Sequence, residues 1–150
     1  MNEDKKVILV TGAATGIGAS IAKHFLDLGY GVHVCDQNTA SLKKFLESYP
    51  KATGSICDVS STEEVKETIN DLEVHYGKLD VLINNAGISG GTALTENISL
   101  EDWNDTINVN LNGMFYFAKF AIPLLKKNKR ASVINISSTA GLFGVPQRSP

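Results

Sequence analysis

From Val7 to Gly18 the chain reads Val-Ile-Leu-Val-Thr-Gly-Ala-Ala-Thr-Gly-Ile-Gly, an aliphatic run that breaks into three glycines. Ile17, Ile21, Phe25 and Leu28 then recur on one helical face, and Gly29 is placed to end that helix. A strand, a tight turn and a helix N-terminus in immediate succession leave backbone N–H groups converging on one point. The positive end of the helix dipole backs that point, so it suits a phosphate. Gly12, Gly16 and Gly18 fit such a turn because a side chain would hold a pyrophosphate off the backbone or force a disfavoured φ. The spacing Gly-x-x-x-Gly-x-Gly differs from the commoner Gly-x-Gly-x-x-Gly, so its weight comes from the strand before it and the helix after it. The segment is read as a dinucleotide-binding turn.

Bulk properties narrow the remaining classes. The 150 residues have the length of one domain, taken as 1–150, able to bury roughly 70% of its unfolded surface. A net charge of −2 leaves no electrostatic footprint for nucleic acid or an anionic membrane. Four of the five residues 126–130 are basic, but they follow a helical pattern, where cations complement the C-terminal dipole. Residues 1–6 are polar, with no signal-peptide core, and no apolar run has the length of a membrane span. Cys35 and Cys57 lack metal or disulfide-framework spacing and read as small core residues. A reduced, cytoplasmic protein is the expectation.

Strand-like and helix-like patterns alternate along the whole chain. Strands are expected at 6–10, 31–36, 53–57, 79–83 and 131–137. Helices are marked by Leu42, Phe45 and Leu46, and by Val65, Ile69, Leu72 and Tyr76 behind a capping box, Ser61-x-x-Glu64. Ser99-x-x-Asp102 opens a fourth helix, and a fifth is expected over about 110–127, bent at Pro123. Near-continuous apolar strands alternating with helices imply a doubly wound parallel sheet of the Rossmann type, with strand order 3-2-1-4-5. Ligands of such sheets bind beyond the carboxyl ends of the strands.

The residues at those ends follow directly. The second strand ends at Asp36, 18 residues after Gly18, near the spacing of about 20 expected for an acidic residue on the adenine ribose. A carboxylate there accepts from ribose hydroxyls and repels a 2′-phosphate. No arginine stands in the turn or just after Asp36, which favours NAD over NADP. An ordinary strand-end or N-cap role is the alternative. The third strand ends at Asp58-Val59, where Asp58 could meet the adenine amino edge or merely start a helix. The fourth ends in Asn84-Asn85-Ala86-Gly87, small residues and amides that let a sugar lie close, or a plain turn. The fifth ends in Ser137-Ser138-Thr139, where the Ser138 hydroxyl faces the place of a nicotinamide ring or simply caps the chain's exit.

Taken together, Thr11-Gly12-x-x-x-Gly16-Ile17-Gly18, Asn84-Asn85-Ala86-Gly87, Val109-Asn110-Leu111-Asn112-Gly113 and Ile134-Asn135-Ile136-Ser137-Ser138 resemble the short-chain dehydrogenase/reductase family across nearly the entire chain. The resemblance implies NAD(P)-dependent interconversion of a secondary alcohol and a ketone. It places Gly12, Thr15, Gly16, Ile17 and Gly18 on the pyrophosphate, Asp36 on the ribose, and Asp58 and Val59 beside the adenine. Asn85, Ala86, Gly87 and Val109 would flank the nicotinamide side. Asn110 would hold a water in a proton relay, or else stabilise the helix it begins. Ser138 would bond the substrate oxygen. The family's active form is commonly a homo-oligomer paired through the fifth helix, whose Met114, Phe115, Phe117, Phe120 and Ala121 spread over more than one face.

The same resemblance implies a tyrosine acid/base and a lysine one helical turn later, and it places that tyrosine one position beyond Pro150. Tyr30, Tyr49, Tyr76 and Tyr116 all lack the following lysine. The 150 residues therefore read as the N-terminal part of a longer, single-domain enzyme, inactive alone. An NAD-binding module without chemistry is the alternative. The fifth strand would leave an apolar sheet edge open, which invites pairing with another chain.

Overall fold

The computed structural model describes residues 5–148. Residues 1–4 and 149–150 lie outside them, including most of the polar N-terminal run. Five strands, β1 (Val7–Thr11), β2 (Gly31–Asp36), β3 (Thr53–Ile56), β4 (Val81–Asn84) and β5 (Ser132–Asn135), form one parallel sheet. Its order is β3-β2-β1-β4-β5, the expected doubly wound arrangement. The helices are α1 (Gly16–Asp27), α2 (Thr39–Ser48), α3 (Thr62–Tyr76), α4 (Leu100–Ile107) and α5 (Gly113–Leu125).

Alternation along each strand divides the core in two. Ile8, Val10, Val32, Val34 and Ile83 meet Ala22, Leu42 and Phe45 of α1 and α2. Val7, Leu9, Cys35 and Leu82 meet Val65, Ile69, Leu72, Phe117, Ala121 and Leu124 of α3 and α5. Burial on both faces is why the central strands read as continuous apolar runs. β5 differs: all four of its residues are exposed.

Two expectations are corrected. The fourth strand starts at Val81 because Asp80, just ahead of it, uses its side chain to accept from Val7 N–H at 2.8 Å while its own N–H donates to the Val7 carbonyl at 2.9 Å. The fifth helix does not begin at Asn110. Residues Asn108–Asn112 form a π turn that joins α4 to α5, with helical backbone at Asn108 and Gly113 on either side. Asparagines favour caps, so three of them within five residues look like a helix start. Here they fill a turn widened by one residue, with the Asn112 amide donating to Asn108 Oδ1 at 2.9 Å. Pro123 stays inside α5, which ends at Leu125. Beyond it, Lys127 is no free helix end: its ammonium donates to Glu73 at 2.8 Å and to the Gly77 carbonyl at 3.2 Å, tying α5 to α3.

Two buried polar networks hold the sheet. The Thr11 hydroxyl oxygen accepts from both Asn85 N–H and Ala86 N–H at 3.0 Å, and the Asn85 side-chain amide donates to the Thr11 and Gly12 carbonyls at 3.0 Å. This locks the exit of β1 to the exit of β4. On the α3 side, His33 is fully buried between Thr53 Oγ1 (2.7 Å) and Ser55 Oγ (3.0 Å). Ser55 in turn donates to Asp71 at 2.8 Å. Burial pushes the His33 imidazole down to about 4 from its ordinary 6.5, against the opposing pull of Asp71.

Both networks give measurable expectations. Thr11→Val removes the acceptor from two N–H groups and is expected to destabilise by about 2 kcal/mol or more, read by denaturant unfolding. His33 binds its proton far more readily unfolded than folded, so its contribution is complete above pH 6.5 and is lost as pH falls toward 4. The loss is of order 3 kcal/mol. His33→Gln replaces the titrating ring with a neutral polar side chain and should flatten the fall in melting temperature across that interval; an unchanged slope would remove His33 from the account.

Candidate active site at the carboxyl edge of the sheet

The turn after β1 is shaped by close packing. Gly12 takes φ 59°, and a Cβ there would stand 2.8 Å from Ala86 Cα. A Cβ on Gly18 would strike the Gly12 carbonyl oxygen. These two glycines thus seat the turn on β4 and the helix on the turn, a reason the sequence did not reveal. Gly16 alone, at φ 60°, faces open space.

α1 also starts differently from its neighbours. Asn38, Ser61 and Ser99 cap α2, α3 and α4, accepting backbone N–H bonds at 2.9, 3.3 and 3.0 Å. Thr15, the residue before α1, makes no side-chain cap bond. Thr15, Gly16 and Ile17 are exposed. The start of α1 is therefore exposed and lacks a side-chain cap, which suits an anion.

Asp36 stands beside this turn. Its Oδ2 accepts from Ala14 N–H and its Oδ1 from Asn38 N–H, both at 3.0 Å. Each oxygen retains capacity for a further bond. Asp58 is held by Ser60, whose N–H and hydroxyl donate to Oδ1 at 2.9 and 2.7 Å. Glu64 of the expected capping box reaches past Ser61 and accepts from Asp58 N–H at 2.8 Å. Asp58, Val59, Ala86, Gly87 and Val109 line one small cavity of about 70 Å³, with Gln37, Cys57 and Ile88. Gln37 and Ile88 went unnoticed in the sequence, although each directly follows a motif residue.

Asn110 sits in the π turn, not at a helix start. Its Oδ1 accepts from Ile88 N–H and its Nδ2 donates to the Ile88 carbonyl, both at 2.8 Å. The side chain thereby pins the loop after β4. Ser138 is exposed beyond β5, and its Oγ accepts from Ala140 N–H at 3.2 Å, capping a short 3-10 turn (Thr139–Gly141). Ile136 N–H donates to the Asn84 carbonyl at 2.9 Å, so the exits of β4 and β5 lie side by side. Asn84 was missed as a buried polar residue: its Nδ2 donates to Asn135 at 2.8 Å, while its Oδ1 is buried with no partner among the described residues. Cys35 and Cys57 are buried free thiols that hydrogen-bond to each other. Among the described residues no His/Cys/Asp/Glu cluster could hold a metal, and no helix is long and apolar enough to cross a membrane.

Known proteins share this arrangement. The sequence profile of the short chain dehydrogenase family matches residues 6–150. A 3-oxoacyl-(acyl-carrier-protein) reductase of Thermotoga maritima is 37% identical over 97% of the chain and 61% of its own length. An L-fucose dehydrogenase of Bos taurus is 34% identical over 97% of the chain and 53% of its own length. The solved structure of actinorhodin polyketide ketoreductase with NADPH superposes with a TM-score of 0.92 at 34% identity, covering 97% of the chain and 57% of that protein. The chain thus spans roughly half to three-fifths of the proteins it matches. With a family profile that matches nearly its whole length and a sheet order that matches the family fold, the chain belongs to the short-chain dehydrogenase family.

Proposed function

We propose that the protein carrying this chain is a cytoplasmic, NAD-dependent oxidoreductase that interconverts a secondary alcohol and a ketone. The observation that carries the reading is the uncapped N-terminus of α1, with the Asp36 carboxylate bonded to the turn beside it. Gly12, Thr15, Gly16, Ile17 and Gly18 would receive the pyrophosphate on backbone N–H groups. The free lone pairs of Asp36 would accept from ribose hydroxyls, and its charge disfavours a 2′-phosphate. Asp58 and Val59 would border the adenine, and Asn85, Ala86, Gly87 and Val109 the second ribose. Bound NAD supplies the hydride acceptor.

The chain's own residues can do the following. Because Ser138 Oγ already accepts from Ala140 N–H, its hydroxyl proton is free to donate to a substrate oxygen and stabilise charge there. Asn110 is committed through its side chain to Ile88, so its part is to hold the loop after β4 and to leave backbone groups of the π turn for a water. An acid/base remains to be supplied. Tyr76 donates to the Val32 carbonyl, while Tyr30, Tyr49 and Tyr116 pack against the core clusters. A homo-oligomer is proposed through the outer face of α5, where Phe115 and Ile122 are exposed while Phe117 and Ala121 are buried.

A second reading is an NAD-binding module without turnover. Intact-protein mass and sequencing separate the two: a tyrosine one position beyond Pro150 with a lysine one helical turn later supports the enzyme, and a chain lacking them supports the module. Binding titrations should give NADH at least about tenfold tighter than NADPH, and Asp36→Ala should narrow that gap; equal affinities before substitution would refute the NAD assignment. In the protein with its acid/base, Ser138→Ala should cut turnover on a panel of secondary alcohols about 100-fold while leaving NADH affinity nearly unchanged. Undiminished turnover would remove Ser138 from the site.

A further inference from the structure

The most spacious cavity among those described stands away from the strand-end cluster. It is a groove of about 680 Å³ along the free edge of β3, between α2 and α3. Cys57 N–H donates to the Asp36 carbonyl, so by the two-residue period of a strand the backbone of Thr53, Ser55 and Cys57 turns toward β2. The N–H and C=O groups of Gly54 and Ile56 therefore point out into the groove.

The two walls differ in chemistry. Ser55 turns its side chain to α3, where its hydroxyl meets Asp71 at 2.8 Å. The Cβ direction of Gly54 runs the other way, to Leu42 of α2 at 3.2 Å. On the α3 wall stand Glu67 and Asp71, one helical turn apart and both exposed. Like charges at that spacing repel, and among the described residues neither forms an ion pair. The α2 wall offers Leu42 and Leu46 together with Lys43 and Glu47, whose opposite charges leave the acidic excess of the groove on the α3 wall, and Ile56 lies 55% exposed at the groove's floor.

We infer that this groove receives an extended peptide segment of a partner protein, which adds as a strand to β3 and alternates basic with apolar residues. Its outward-facing backbone groups would pair with Gly54 and Ile56. Every second side chain would face α3, where a lysine or arginine relieves the Glu67–Asp71 repulsion. The intervening side chains would face α2 and cover Leu46 and Ile56. The charges that guard a sheet edge against unselected strands thus also define which strand is accepted. This inference is independent of the proposed reaction.

The test is backbone-amide NMR of the protein with a capped heptapeptide of alternating lysine and valine. The expected result is shifts centred on the Gly54 and Ile56 amides and on residues 67–71, with none from an alternating glutamate–valine peptide. Glu67→Lys, at an exposed helix position, should leave the melting temperature unchanged and weaken the lysine peptide about tenfold. Unmoved Gly54 and Ile56 amides, equal binding of the glutamate peptide, or undiminished affinity in Glu67→Lys would each overturn the inference. So would protection of those amides by self-association without peptide.

Discussion

The Thr11 hydroxyl is the point on which the site's geometry depends. A buried hydroxyl oxygen has two lone pairs, and both are used by adjacent backbone N–H groups, those of Asn85 and Ala86. The Asn85 side chain closes the figure by returning to the Thr11 and Gly12 carbonyls. Four bonds thereby fasten two loops that the sheet alone would leave free to splay beyond its last ladder pair. The glycines follow from this: once Ala86 is drawn against the turn, Gly12 has no room for a side chain.

Electrostatics is arranged around that fastening. Three helices meet their own first-turn donors with a side chain, and α1 does not. The unmet donors lie beside Asp36, a carboxylate held by two backbone N–H groups. A cationic rim of helix dipole and an anionic residue thus stand next to one another, which suits a ligand with a phosphate at one point and hydroxyls at the next. Asn110 extends the same logic to the loop after β4, where one amide satisfies both backbone groups of Ile88.

Much of this was legible in the sequence because strands buried on both faces leave nearly continuous aliphatic runs, as in Val7 to Val10. The order of the strands followed from crossover handedness. What stayed hidden depends on contacts between distant segments. Gly12 and Gly18 were read for a ligand, whereas each answers a clash with the protein's own backbone. The π turn was invisible because Asn108, Asn110 and Asn112 have the composition of a cap, and only the reach of Asn110 to Ile88 decides otherwise. Asn84 and His33 sit in strands as polar residues among apolar ones, and their partners, Asn135, Thr53 and Ser55, lie on neighbouring strands that no local pattern links to them.

The double engagement of Asp36 has an evolutionary corollary. One carboxylate braces Ala14 in the turn and Asn38 at the start of α2. A lineage that replaces it to suit another ligand also releases two backbone donors and loosens the approach to two helices. Drift at this position is therefore a coupled move: a successor residue needs a second substitution nearby that re-anchors Ala14 and Asn38. Under the proposed reading of Asp36, ligand preference and turn stability would be inherited together, as one character.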